Sequence, residues 1–247
     1  MNVKTLIILG LIAGINSTIY AQKDSTIHSV PFYWTFELGS SYLTSSSTIK
    51  NQAAPFLPTA SGSFYFNWNL PLGNQLTVPM SGLFLAPGIG IGVSTFSINK
   101  NLSETDGQIT IEDIDGSYEY SYVQGIYFDV PIDFRYLTKP DLKRQSFSFE
   151  LGGKFGYLVD TEKEIQKIDG NNTNTYNSKH SGILNKYRYG INAKIGFRKM
   201  KINRGNDLMG LSFSVIGNYY FSEAFIDHNS INCKSFSIGA GLGFNFK

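Results

Sequence analysis

The stretch GIYFDVPIDFRYL, residues 125–137, separates into two lists when every second residue is read. Ile126, Phe128, Val130, Ile132, Phe134 and Tyr136 form an unbroken apolar face, while Gly125, Tyr127, Asp129, Pro131, Asp133, Arg135 and Leu137 carry three charges. A period of two is the mark of a β-strand. A soluble sheet buries such an apolar face and turns its charges to water. A membrane barrel does the reverse, with apolar residues toward lipid and polar residues inside. The rest of the chain decides between them.

The same alternation predicts eight strands, at about Phe32–Leu43, Gly62–Leu70, Gly82–Ile98, Tyr118–Leu137, Ser146–Val159, Tyr187–Met200, Leu208–Phe221 and Ser235–Phe246. No segment sustains a helical period. The connections alternate in length. Thr44–Ser61, Asn99–Ser117, Asp160–Lys186 and Ser222–Lys234 are long, whereas PLGNQ, TKPDLKRQ (Thr138–Gln145) and NRGN are short. Bacterial outer-membrane barrels have this asymmetry, with long loops outside and short turns in the periplasm.

The charges repeat the pattern of the opening stretch. The non-apolar strand faces carry Glu37, Glu119, Asp129, Asp133, Arg135, Glu150, Lys154, Arg188, Lys194 and Arg198, and the apolar faces carry essentially none before Lys199. Burying those charges in an apolar core costs several kcal/mol each. A lipid-facing exterior removes the conflict and, by closing the sheet, satisfies every backbone group. The predicted fold is therefore an all-β, eight-stranded antiparallel up-and-down transmembrane β-barrel. Interfacial aromatics are expected at both ends of the outward faces. Trp34, Trp68, Tyr136, Phe197 and Phe246 stand at the periplasmic end, and Tyr120, Tyr157, Tyr189 and Tyr219 at the other. In a barrel this narrow, side chains fill the interior. Glu37, Asp129, Asp133, Arg135, Glu150, Lys154, Arg188, Lys194 and Arg198 are expected to pair there as a charged plug. Pro87 and Pro131, inside strands, predict a bulge near the periplasmic rim.

Composition excludes other classes. Charged residues are 16% and aromatics 15% of the chain, and a formal charge of +2 makes no case for nucleic acid. Three His and one Cys are too few for a metal centre or a disulfide framework, so neither metal nor cofactor is expected, and Cys233 reads as a shielded free thiol. Lys4, the short apolar run Leu6–Ile15 and a cleavage site after Ala21 read as a signal peptide over residues 1–21, leaving 22–247 as the barrel domain. The acidic loop with Asp106, Glu112, Asp113 and Asp115 lacks the spacing of a calcium-binding EF-hand and reads as a solvated loop.

The signal end YAQ (Tyr20–Gln22), the phrase DVPIDFRYL (Asp129–Leu137) and the terminal strand GAGLGFNF (Gly239–Phe246) resemble the small outer-membrane β-barrel proteins of Bacteroidetes, the PorT-like set within the OmpA-like β-barrel group. The resemblance implies an outer-membrane location and no single activity. PorT itself is associated with protein secretion across the outer membrane. The function expected is that of a non-enzymatic, monomeric barrel. Membrane lipid surrounds it, and its surface loops serve binding, scaffold or secretion-accessory roles toward envelope proteins. The alternatives are a narrow pore and a lipid-modifying enzyme at the outer rim, where His180, His228, Ser178, Ser222 and Glu223 are the residues of interest.

Overall fold

Alternation carried over eight long segments builds a wall that closes on itself. The computed structural model describes residues 32–44, 60–72, 81–105, 108–169, 172–179, 182–202, 208–226 and 233–246. The signal peptide expected over 1–21 lies outside these residues, as do His180 and His228.

Among the described residues twelve strands are formed: β1 (Phe32–Leu43), β2 (Ser61–Trp68), β3 (Leu70–Pro71), β4 (Gly82–Ser97), β5 (Lys100–Thr105), β6 (Gln108–Asp113), β7 (Ser117–Leu137), β8 (Gln145–Asp169), β9 (Asn172–Lys179), β10 (Tyr187–Ile202), β11 (Leu208–Glu223) and β12 (Lys234–Phe246). All pairings are antiparallel. The ring runs β1, β2 with its continuation β3, β4, β7, β8, β10, β11 and β12, and β12 pairs again with β1 from Phe32↔Phe246 to Leu43↔Ser235. This is an eight-stranded closed barrel whose first and last strands pair along their whole length.

The apolar lists point outward. Phe36, Leu38, Ile91, Ile132, Phe134, Phe149, Leu151, Ile195, Phe213, Val215 and Leu242 are all exposed on the wall, where lipid covers them. Their strand neighbours Thr35, Glu37, Asp133, Arg135, Glu150, Lys194 and Ser212 are buried inside.

Four details differ from the sequence expectation. The second predicted strand breaks at the buried Asn69, whose side chain turns inward to Arg135. The prolines cause no bulge. Pro87 pairs with Ile132 and the ladder resumes at Gly90↔Asp129 in the same register, so two pairs of the β4–β7 ladder are skipped and nothing slips. With Pro87 and Pro131 almost opposite each other, the missing donors fall in one gap. Bulges lie instead on β7 between Tyr118 and Tyr120 and on β8 at Val159, opposite Ile126/Tyr127, and the outer end of β7 leaves the predicted face pattern. Glu119, expected inside, is therefore exposed above the barrel. Finally, two expected loops contain strands. β5 and β6 form a hairpin between β4 and β7, and β8 runs ten residues beyond Val159 to pair with β9.

Candidate functional site

Two places concentrate chemistry, the lumen and the outer end. Within the lumen, Arg188 holds Asp129 through Nη2–Oδ2 at 2.6 Å and Nε–Oδ1 at 3.1 Å, and donates from Nη1 to Ser94 Oγ at 2.7 Å. Its guanidinium lies over Tyr127 at 3.8 Å and near Tyr220 at 4.8 Å. Room for it comes from glycine. A Cβ on Gly156 would stand 2.4 Å from Asp129 Oδ1 and 2.8 Å from Arg188 Cγ, and one on Gly92 would meet the same pair. Tyr65 donates to Asp129 Oδ2 at 2.8 Å and accepts from Lys154 Nζ at 3.0 Å. Lys154 faces Glu37 at 3.8 Å, and Lys194 meets Glu37 at 2.9 Å, Glu150 at 3.8 Å and Asp133 at 3.9 Å. Arg135 pairs with Glu150 at 2.9 Å, donates to Asn69 Oδ1 at 3.1 Å and lies 3.9 Å over Tyr33. Asn192 donates to Asp133 Oδ2, and Arg198 Nε donates to Ser146 Oγ.

All nine charged residues singled out in the sequence are thus buried, and their contacts link one wall of the lumen to the other. Such pairing offsets the desolvation that would otherwise expel the charges. A void of about 30 Å³ remains beside Glu37, Ser63, Ser94, Lys154, Arg188 and Tyr220, space for about one water.

Above this layer lies a second one that sequence reading missed. Leu43, Phe96, Val123, Leu158, Ile183, Leu184, Phe225 and Cys233 form a buried apolar cluster across the outer mouth, with Ile109 and Ile111 of the β6 strand packed on it. The bridge Leu184↔Phe225 and the backbone bonds Asn185 N–H to Ala224 O and Ala224 N–H to Cys233 O lace the two connections together. Lys163 pins the β5 end, donating to Asn101 Oδ1 at 2.9 Å and Leu102 O at 2.7 Å. Burial pushes the Lys163 ammonium below its ordinary value. The available signal was the apolar pairs Ile183-Leu184 and Phe225-Ile226 inside polar connections.

The outer ends of β7 and β8, with β9, form a sheet that rises beyond the barrel. Thr173 to Asn177 of β9 are exposed without interruption, and β9 pairs along one side only among the described residues. Tyr120 and Tyr122 both donate to Glu164 on this sheet, at 2.7 and 3.1 Å. The bond to Glu164 pushes the Tyr120 phenol up to about 12. In the acidic hairpin, Asp113 pairs with Lys100, while Glu112 and Asp115 are exposed. No cluster of metal-ligating side chains occurs among the described residues. Ser222 is buried, its Oγ accepting the Tyr189 N–H at 3.2 Å.

The aromatic positions divide. Trp34 and Trp68 are half-buried and Tyr136 and Phe197 exposed at the end of the barrel that carries the β7–β8 turn, with Trp34 stacked on Phe64 at 5.0 Å and Phe147 edge-on to Phe197 at 5.7 Å. The side chain of Phe246 is outside those described. Tyr157 and Tyr189 are exposed and Tyr219 half-buried toward the opposite end. Tyr120 does not share their level. It lies eight residues along β7 from Phe128, the ladder partner of Tyr157, or roughly 20 Å beyond it. The length of β7 and β8 carries Tyr120 out of the interface and onto the projecting sheet.

Residues 20–222 match the family described as outer membrane protein beta-barrel domain. No curated protein matches the chain. Among solved structures, Ail, the attachment invasion locus protein of Yersinia pestis, is similar. In complex with the heparin analogue sucrose octasulfate it is 11% identical, covering 87% of this chain and 99% of that one at a TM-score of 0.30. Alone it is 10% identical with the same coverages and a TM-score of 0.25.

Proposed function

The chain belongs to the outer membrane protein β-barrel domain family, and from that premise we propose that it is a non-conducting, non-enzymatic binding protein of the outer membrane. The observation that carries this is the projecting β7–β8–β9 sheet. It presents an edge strand, NTNTYNSK, with no proline and its middle exposed on both faces. Among the described residues its other side is unpaired, and an edge of this kind is a template for a strand from another chain. The ion-paired layer and the apolar cluster above it support a plugged lumen. The commitment of Ser222 to a backbone bond supports the non-enzymatic reading over a lipid-modifying rim enzyme. The aromatic residues at the two ends serve as lipid anchors in this reading, and the barrel works as a monomer without cofactor. The finer placement in the PorT-like group of Bacteroidetes, with a secretion-accessory role toward envelope proteins, rests on the phrases DVPIDFRYL and GAGLGFNF.

The test uses the whole protein in its native membrane. A photoreactive side chain at Thr175 should crosslink to a partner, and Thr175→Pro, which removes a donor from the β9 edge without touching the barrel, should abolish that crosslink. Deleting Asp169–Lys179 should leave the barrel folded, because exposed tips tolerate excision. Crosslinks that avoid β9 and cluster at Thr138–Gln145 overturn the outer-face reading, and steady single-channel currents in planar bilayers overturn the plugged lumen.

A further inference from the structure

Beyond the aromatic residues at the periplasmic ends of β7, β8 and β10, the β7–β8 turn carries charges that neither wall nor lumen uses. Lys139, Lys143 and Arg144 are exposed, and so is Lys199, opposite Gln145 in the β8–β10 ladder. Asp141 is the turn's one carboxylate. Its Oδ1 accepts the Gln145 backbone N–H at 2.7 Å and its carbonyl accepts the Arg144 N–H at 2.9 Å, so it serves the turn. Leu142 stands fully exposed among these cations.

Arg144 sharpens the observation. Its φ of 59° makes it the one non-glycine residue with positive φ among the described residues. Glycine or asparagine takes this conformation at less cost. A turn that only joins two strands has no use for arginine at that position, whereas a turn that presents a guanidinium does.

Distance decides what meets the patch. Leu142 lies four residues beyond Thr138, which is bonded to Phe147 at the aromatic level, and this places the tip roughly 10 Å past that level. The headgroup layer on one side of a bilayer is only about 5–8 Å deep. The tip therefore passes through the headgroups into periplasmic water. There an apolar side chain ringed by cations is complementary to a polypeptide rather than to a lipid. We propose that this turn docks an acidic periplasmic polypeptide segment, with an apolar side chain of the partner covering Leu142.

The barrel, refolded into phosphatidylcholine nanodiscs, is titrated with a synthetic peptide of alternating glutamate and leucine. Binding is expected and should weaken steeply as salt rises from about 50 to about 300 mM. Leu142→Ser, at unchanged charge, should weaken it about fivefold, as removal of a buried anchor does. Arg144→Gly should weaken it by a similar factor while leaving the unfolding midpoint unchanged or higher, because glycine relieves the backbone. Failure of the peptide to bind, or binding indifferent to both variants, overturns the proposal. So does capture of phosphatidylglycerol vesicles in which Leu142→Ser matches the wild type while the peptide fails, since that assigns the cations to lipid.

Discussion

Asp129→Asn removes one charge from the lumen and almost no volume. Asp129 has no exposure, and its two oxygens take three bonds, two from Arg188 at 2.6 and 3.1 Å and one from Tyr65 at 2.8 Å. The amide retains one acceptor oxygen and places an NH₂ against a donor, so at least one of these contacts becomes donor to donor. The guanidinium of Arg188 then stays buried between Tyr127 and Tyr220 with its charge unpaired, Ser94 and the single amide oxygen being its polar partners. Breaking a buried pair in this way costs about 3–5 kcal/mol. A whole folded domain is typically stable by only about 5–15 kcal/mol, so the loss should be plain in urea unfolding of the barrel refolded into lipid vesicles. Replacing both partners, as Asp129→Leu with Arg188→Met, removes the orphaned charge. That double variant should recover most of the stability, since apolar replacement of a buried pair is commonly neutral or better. Asp129→Asn should still block ion flow, because the side chain keeps its size. A cost below about 1 kcal/mol is what a water-screened surface pair shows. That result would refute the dry, interlocked lumen and with it the reasoning for a plug.

The neighbouring glycines offer a steric version of the same test. Gly156→Ala should impair folding, with its Cβ 2.4 Å from Asp129 Oδ1, whereas Gly217→Ala on the lipid face, with nothing within 4 Å, should be neutral in the same urea assay. Cys233, buried in the outer apolar cluster, should resist maleimide in the folded barrel. Lys163→Ala, which frees Asn101 and Leu102 O, should speed the labelling by about tenfold or more if that layer opens locally. On the projecting sheet, the Tyr120 phenol is raised from 10.0 to about 12, so its contribution is fully present below pH 10 and lost as pH rises toward 12. Ultraviolet titration of the phenolates should show Glu164→Gln moving this ionisation back toward 10.

The ring of eight strands was legible because each crosses two solvents at once. Along GIYFDVPIDFRYL, lipid demands Ile126, Phe128, Ile132 and Phe134 on one side, while the narrow interior holds Asp129, Asp133 and Arg135 on the other. The alternation is then written in full contrast, and the register of β7 against β8 follows from it. The lumenal nine were legible for the same reason. Their partners were not, since parity states which way Arg188 points but not that Gly92 and Gly156 clear its path to Asp129. Parity also fails across a bulge, and for that reason Glu119 was misplaced.

Above the membrane the contrast disappears. In TEKEIQK, the run Thr161–Lys167 of β8, Thr161, Lys163 and Ile165 are buried and Glu162 and Glu164 look outward, so a charged residue stands on each face without any change of character between them. In NTNTYNSK of β9, Thr173 to Asn177 are all exposed, and a strand with no buried face has no period to read. Its pairing to β8 is held by the ladder from Glu162↔Lys179 to Asp169↔Asn172, a backbone property that composition does not record. The apolar cluster at the outer mouth is the complementary case, where Ile183, Leu184 and Phe225 are buried without belonging to any long strand. The most legible part of this chain is thus the part whose surfaces are already spent, on lipid outside and on ion pairs within. A strand free to meet another protein must leave a side unsatisfied, and in doing so it gives up the alternation by which a strand is recognised. The projecting sheet is hard to read in the sequence because it is one of the places where the barrel has surface left to offer.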